Sequence, residues 1–476
     1  MPEPRNRRLI KNTIIISIGK ICTSIITFLL LPLYTTILNT EEYGIVDLLD
    51  TLMALLLPII GLQLEQGAFR ELLENRKNRQ KEREIISTGF FVTLIQCIIF
   101  IPPFIFISPF VHNDYLFFLL INVLACVVVN FLQQTARGLD KINEYTIGSF
   151  INAAGTIVFN VVLLVIFKLG IYGMLLGTFG GFCITLFYYF FSLHFFSYAS
   201  LKLLKKSTLK TLLRYSIPLI PNTLAWWIFS ASDRVIVSSI LGLDANGILA
   251  ASLKFPSIIT TIYNIFHISW IESISLAIKD KDAKDYFNRT FNIVLKLFTS
   301  LSFSVIVLTP FVFPLLINAN FDKAYNLIPI SVIAVIFNII SGLVSAVYIA
   351  KRNTKTIAHT SIFSAIINII VHLSLIHLIG LYAAAISTLV TYVTLSVYRI
   401  FDAKKKYFKI TFDKKFIELT FVTAIFILIS YYIDNIFINV LSILIAIMFA
   451  IIVNKSSLTF IKNIVKQKLF KERSKL

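Results

Sequence analysis

Apolar stretches of membrane-spanning length alternate with short polar segments from one end of the chain to the other. The pattern predicts fourteen spans, near residues 13–38, 44–66, 85–107, 115–136, 146–167, 171–195, 215–241, 246–274, 288–314, 326–350, 356–378, 381–400, 417–433 and 435–454. Each is of the order of the ~20 apolar residues an α-helix needs to cross the hydrocarbon core. Lipid offers no partner for backbone N–H and C=O groups, so such runs are predicted to be helices, which satisfy those groups internally. The polar intervals are too short for a soluble domain, which takes ~50 residues or more. Run 13–38 is too long for the apolar part of a cleaved leader, and no small-residue cleavage site follows it. The expected fold is an all-α polytopic membrane protein.

Composition agrees. Apolar residues make up 57% of 476 and charged residues 14%, with a mean hydropathy of +0.82. A net charge of +19 would suit a nucleic-acid binder, but its placement argues against one. With the N-terminus inside, the inner segments hold 38 of the 44 Lys and Arg residues, whereas the outer loops hold Lys168 and Lys323. That asymmetry predicts both ends in the cytoplasm and makes the charge an orientation signal, with no nucleic-acid partner. Clusters such as "AKKKYFK" (403–409) are placed to touch anionic membrane lipid. The tail "SSLTFIKNIVKQKLF" (456–470) reads as an amphipathic helix on the inner leaflet. Cys22, Cys97, Cys126 and Cys183 lie in apolar runs without metal spacing and read as buried thiols. Lys296, about a turn from the inner boundary, reads as a snorkelling lysine, and Glu65 and Glu272 as solvated inner ends.

The chain also repeats itself. "TTILNTEEYGIV" (35–46) aligns with "SSILGLDANGIL" (238–249) at an offset of 203, so that Gly44 meets Gly247. "LGIYG" (169–173) aligns with "IGLYA" (379–383) at an offset of 210. Spans 1–6 then correspond to 7–12. Six is even, so the halves share one orientation, about a pseudo-two-fold axis along the membrane normal. The expected organisation is an N-terminal lobe over 1–198, a basic cytoplasmic linker over 199–214, and a C-terminal lobe over 215–401. Spans 13 and 14 follow over 402–454, and a basic amphipathic tail over 455–476.

"LLPLYTTILNTEEYGIVDLLD" (30–50), its partner "SDRVIVSSILGLDANGILAAS" (232–252) and the fourteen spans resemble the polysaccharide (oligosaccharide) flippases. These O-antigen- and capsule-type transporters belong to the multidrug/oligosaccharidyl-lipid/polysaccharide exporter superfamily. The resemblance implies two pseudo-symmetric six-helix lobes plus two extra C-terminal helices, and a central cavity lined largely by spans 1, 2, 7 and 8. It also implies movement of lipid-pyrophosphate-linked sugars from the inner to the outer leaflet.

Read without the family, each of those four spans carries one polar stripe at helical spacing. Span 1 contributes Lys20, span 2 Asp47 and Asp50, span 7 Trp227 and Arg234, and span 8 Lys254 and Asn264. Charges within a span belong against protein or water rather than lipid. Asp233 and Arg234 are adjacent and point about 100° apart on a helix, so each needs a partner on another element. Two readings stand. In one, these charges pair across helices and lock the bundle, with Asp47 or Asp50 serving Lys20, Lys254 or Arg234. In the other, Lys20, Arg234 and Lys254 receive an anion, Trp227 and Asn264 contact sugars, and Asp47, Asp50 and Asp233 act as counter-ions or coupling sites. Trp226, Tyr263 and Trp270 are further stacking candidates, while His267, His372 and His377 read as packing residues.

No P-loop, nucleophile motif or zinc spacing appears, so neither an enzyme nor a cofactor is expected. "DLLD" (47–50) is misplaced for the Mg²⁺ site of a polyprenyl-phosphate sugar-phosphate transferase, because the charge pattern puts it in the outer half. The expected function is a flippase for an undecaprenyl-diphosphate-linked oligosaccharide in a bacterial cytoplasmic membrane. H⁺ or Na⁺ is the candidate coupling ion, and the polysaccharide polymerase machinery a candidate partner. An ion-coupled multidrug exporter and a peptidoglycan-precursor flippase are the alternatives within the superfamily. A non-transporting scaffold for polysaccharide assembly is the alternative outside it, disfavoured by the cost of intramembrane charge.

Overall fold

The computed structural model describes residues 28–76, 78–107, 115–278, 280–351, 353–433, 435–455 and 459. Lys20, Cys22, most of the first predicted span and the amphipathic tail lie outside the described residues.

The chain runs through sixteen α-helices and no strand among the described residues. They are α1 (Leu31–Ile37), α2 (Thr40–Ile60), α3 (Leu64–Glu74), α4 (Arg79–Ile107), α5 (Leu116–Gly138), α6 (Ile142–Val161), α7 (Gly170–Ser192) and α8 (Lys206–Ser216). There follow α9 (Ile220–Leu241), α10 (Leu243–Ala277), α11 (Ala283–Leu316), α12 (Ile328–Ala350), α13 (Thr354–Ile379), α14 (Tyr382–Lys406), α15 (Lys414–Tyr432) and α16 (Ile436–Val453). Among the described residues twelve helices are long and apolar enough to cross a membrane, and each corresponds to a predicted span. The seventh predicted span is α9. It is 22 residues long but is diluted by Asn222, Thr223, Asp233, Arg234 and four serines.

Local chemistry explains the helix starts. Asn39 caps α2: its side-chain oxygen accepts from the Glu42 N–H at 2.8 Å, and the Glu42 carboxylate accepts from the Asn39 N–H at 3.0 Å, a reciprocal capping box. The basic segment before α9 is itself largely helical, as α8. Its start is fixed to α4 by Glu84, whose buried carboxylate accepts from Lys205 at 2.6 Å, from Lys81 at 3.3 Å and from the Thr208 hydroxyl. Pro218 and Pro221 stand in the first turns of the 3₁₀ turn Ile217–Leu219 and of α9. There the missing N–H costs no intrahelical bond.

Two compact units divide the chain, residues 1–247 and 248–476. In the first, α6 packs along α7, and α3 packs against α5 and α8, around Leu64, Leu72, Phe131, Leu132 and Tyr189. In the second, α12 and α13 pack on α14, and α11 on α16.

The second unit corrects one expectation and sharpens two. Lys296 reaches from its helix to a partly exposed partner: its ammonium sits 2.6 Å from Asp413. That aspartate also caps α15 by accepting from the Phe416 N–H, and the lysine beside it draws its carboxyl below the usual range. Tyr263 and Trp270 are 3% and 2% exposed, which removes them as sugar platforms. With His267 they form one face of α10 and bond to the carbonyls of Ile339, Leu343 and Gly342 on α12, at 3.3, 3.1 and 3.0 Å respectively. Arg399, at the end of the twelfth predicted span, is buried in α14. It donates to the Thr360 hydroxyl, the Ser341 carbonyl and the Ser361 hydroxyl at 3.1–3.3 Å, and makes no ion pair among the described residues.

Candidate functional site

Arg234, one of the two charges that mark the seventh predicted span, lies on the α9 face packed against α2. Contacts along the two helices run in opposite order, so they are antiparallel. Thr40 donates to Asp244 at 2.5 Å. Arg234 Nε lies 2.8 Å from Asp47 Oδ2. The Trp227 indole N–H donates to the Thr51 carbonyl at 2.8 Å, and Gln63 donates to Thr223 at 3.1 Å just past the end of α2.

The seam is tight because Gly44 and Gly247 let two backbones touch. A Cβ on Gly44 would collide with the Leu243 carbonyl and meet the Gly247 nitrogen at 2.8 Å. One on Gly247 would collide with the Thr40 carbonyl and meet the Gly44 nitrogen at 3.0 Å. These are the glycines that the 203-residue offset aligns. Asn246, between the two motifs, donates to the Gly44 carbonyl at 2.8 Å and lies 3.5 Å from Asp47 Oδ2. Asp47 therefore sits between a guanidinium and an amide.

The Arg234 and Asp47 side chains keep 24% and 16% of their exposure. They are neither dry enough to be inert packing nor wet enough for water to screen them fully. A guanidinium carries five N–H donors in a rigid fork. The arrangement holds a partly exposed cation against its counter-ion near the middle of a span.

Of the expected site residues, the first unit brings Asp47, Arg234 and Trp227 together. Arg234 finds this carboxylate on α2, at a remove of 187 residues in sequence. Asp233 is half-buried beside it, and Asp50 is exposed one turn further along α2. Lys254 and Asn264 belong to the second unit, on α10, the first half-buried and the second exposed. Glu65 lies past the end of its helical span. The span before it ends at Ile60, and Leu62 and Gln63 turn the chain through positive φ of 46° and 55°. Glu65 then falls in the first turn of α3, half-buried. Sequence reading did not single out Asn246, although it stands one residue before the aligned Gly247.

Residues 9–271, more than half of the chain, match the family described as polysaccharide biosynthesis protein. The chain belongs to the polysaccharide biosynthesis protein family. Solved structures agree with this membership at the level of fold. The lipid II flippase MurJ in an inward closed conformation is 16% identical, with 95% of this chain and 98% of that one covered and a TM-score of 0.70. A multidrug resistance MATE family transporter of the MOP superfamily is 12% identical in its inward-facing conformation, with 82% and 98% covered and a TM-score of 0.67. An outward-facing structure of such a transporter is 13% identical, with 83% and 95% covered and a TM-score of 0.58. No curated protein matches. This member of the polysaccharide biosynthesis family is thus a multi-pass, all-helical membrane protein with the fold of those transporters. Those structural neighbours are themselves named as transporters and a flippase.

Proposed function

We propose that this protein flips an undecaprenyl-diphosphate-linked oligosaccharide from the inner to the outer leaflet of a bacterial cytoplasmic membrane, with both of its ends in the cytoplasm. The observation that carries the reading is the partly exposed Arg234–Asp47 pair within the span region of a polysaccharide-biosynthesis family member. A pyrophosphate crossing a bilayer must be stripped of water, and a fixed guanidinium is the side chain best matched to two of its oxygens at once. Lys20 and Lys254 add charge to the same task, while Trp227 and Asn264 contact the sugars. Asp47 offsets the cost of the cation when cargo is absent. When pyrophosphate takes the guanidinium, Asp47 is left to the coupling ion, H⁺ or Na⁺. Asp50 and Asp233 serve as further counter-ions. The two lobes alternate access about this site, and the glycan leaves toward the polymerase machinery outside.

The test is flipping in proteoliposomes. The lipid-linked oligosaccharide is loaded on the inner leaflet, and its appearance to an external glycosidase is followed. The protein is expected to accelerate appearance, Arg234→Ala to abolish the acceleration, and Arg234→Lys to retain part of it. No acceleration by the wild-type protein, or equal acceleration by Arg234→Ala, sinks the proposal.

A further inference from the structure

At one end of the second unit lies a cavity of about 340 Å³. It sits between the last turns of α11 and α15, the first turn of α16, and the 3₁₀ stretch Ala319–Leu327. Its size is at the lower end of the ~300–1,000 Å³ typical of small-molecule sites, enough for one or two sugar rings. Tyr325 and Tyr431 form its stacked floor, with ring centroids 4.3 Å apart and planes 18° from parallel. Each hydroxyl donates to the other residue's backbone carbonyl, at 3.2 and 2.7 Å. Tyr432 donates to the Asn326 carbonyl at 3.2 Å. The hydroxyls are thus spent on fixing the rings, which leaves rigid aromatic surface at the cavity.

The polar groups are in the opposite condition. Asn439 is 8% exposed, lines the cavity, and its buried Oδ1 has no hydrogen-bond partner. Buried polar oxygens are almost always paired, so a lining residue with an unused acceptor is matched by a ligand that brings a donor once the side chain turns toward the cavity. The Asp322 carboxylate and the Asn326 side-chain amide also line the cavity and make no ion pair or hydrogen bond among the described residues. The set is rich in acceptors, with one amide able to donate. A carboxylate repels phosphate and other anions, and a lone carboxylate is too few ligands for a hard cation. Polar groups in this number waste an acyl chain. Hydroxyl groups on a ring with an apolar face satisfy all of them.

We propose that this cavity is a saccharide subsite that takes one neutral pyranose, its hydroxyls donating to Asp322 and Asn439 and its C–H face packing on the tyrosine rings. The charge pattern along the sequence puts this end of the unit on the outer face. As a station for the glycan of a flipped lipid, the subsite rests on the function proposed above; as a pyranose site it does not.

The experiment uses the full chain in nanodiscs and saturation-transfer NMR with methyl glucoside, galactoside, mannoside and N-acetylglucosaminide. At least one pyranoside is expected to receive transfer, and Asp322→Asn and Asn439→Leu are each expected to weaken it ~10-fold or more, as loss of a paired polar group does. Asp280→Asn, in the loop that precedes the opposite end of α11, leaves it unchanged. Asp322 is exposed, so its variant folds whether or not Asn439→Leu does. No transfer to any of the four, or transfer that survives Asp322→Asn, overturns the proposal. Export then separates the source of the sugar. Asp322→Asn slows export if the pyranose belongs to the cargo, and leaves it unchanged if it belongs to glycan already outside. A pocket that binds pyranosides in a protein that flips no lipid-linked glycan keeps the subsite and removes the flippase. Flipping with no pyranoside binding does the reverse.

Discussion

Replacing Arg234 by alanine separates two uses of the same guanidinium. Two unit charges about 4 Å apart attract by ~4 kcal/mol at the effective dielectric of ~20 typical of protein sites. A fully buried pair broken from one side costs ~3–5 kcal/mol, and an exposed pair ~0–1 kcal/mol. Arg234 and Asp47, at 24% and 16% exposure, fall between, so each single alanine variant is expected to cost ~2 kcal/mol. Asn246 tempers the Arg234→Ala cost, since its amide still faces Asp47 Oδ2 at 3.5 Å. At ~2.1 cal/mol/K per residue, ~2 kcal/mol lowers Tm by ~2 °C in a chain of 476 residues. The double variant Asp47→Ala/Arg234→Ala removes both charges together. It is expected to cost no more than ~1 kcal/mol, a coupling of ~3 kcal/mol and at the upper end of the range for residues in contact. The assay is thermal unfolding of the detergent-solubilised protein for wild type, both singles and the double, with surface polysaccharide measured in cells carrying each. The reasoning predicts recovered stability and absent export in the double. Additive losses of Tm refute the pairing. Recovered export in the double refutes anion binding by Arg234, because the pair then served only to hold α2 to α9.

Three further outcomes test the frame. Gly247→Ala drives a methyl group into the Thr40 carbonyl; backbone cannot swing aside, so the yield of folded protein is expected to fall sharply, whereas Gly242→Ser, where nothing lies within 4 Å, pays only for its positive φ of 91°. Arg399→Ala leaves Thr360, Ser341 and Ser361 short of a donor in a buried site and is expected to cost ~2–4 kcal/mol; Arg399→Lys restores part of it in the same thermal assay, and equal Tm for the two variants would contradict the hydrogen-bond account. Asp413 has a depressed folded pKa, so its contribution is present above the unfolded value of 3.8 and is lost as pH falls through the folded one. Asp413→Asn keeps an oxygen to cap α15 but drops the pair with Lys296. Its stability should fall less steeply than that of wild type below pH ~4, and an unchanged acid limb would count against the ion pair.

The helices were legible in the sequence because lipid imposes one rule on every span, and that rule is written in apolar length. The predicted span at 215–241 shows where the rule weakens. Its polar residues belong to a seam with α2, and the sequence alone left open whether Arg234 paired or received an anion. Spacing tells which face a residue lies on but not what stands opposite, so Asp47, Asp50, Lys20 and Lys254 were equally eligible neighbours. Arg399 was passed over for a related reason. It sits at the inner edge of a span beside three lysines, and only packing reveals that its guanidinium turns inward to hydroxyls and a carbonyl. Tyr263 and Trp270 had the composition of a sugar platform, but Gly342 opens the space that admits Tyr263 to the backbone of α12. The cavity beside Ala319–Leu327 had no sequence signature, since its residues come from four segments more than a hundred positions apart at the extremes.

The bonds from Tyr263, His267 and Trp270 to α12 carry a mechanical consequence. Helices that touch through apolar side chains can slip past one another by a fraction of a turn at little cost. A helix whose three ring donors are seated on its neighbour's carbonyl oxygens cannot, because any shear breaks all three bonds together and strands their partners away from water. Over Tyr263–Trp270 and Ile339–Leu343, α10 and α12 behave as one stave. Bending or rotation that accompanies transport must be absorbed outside that splice. On α10 the nearest available break is Pro256, where the ring has already removed a rung of the ladder.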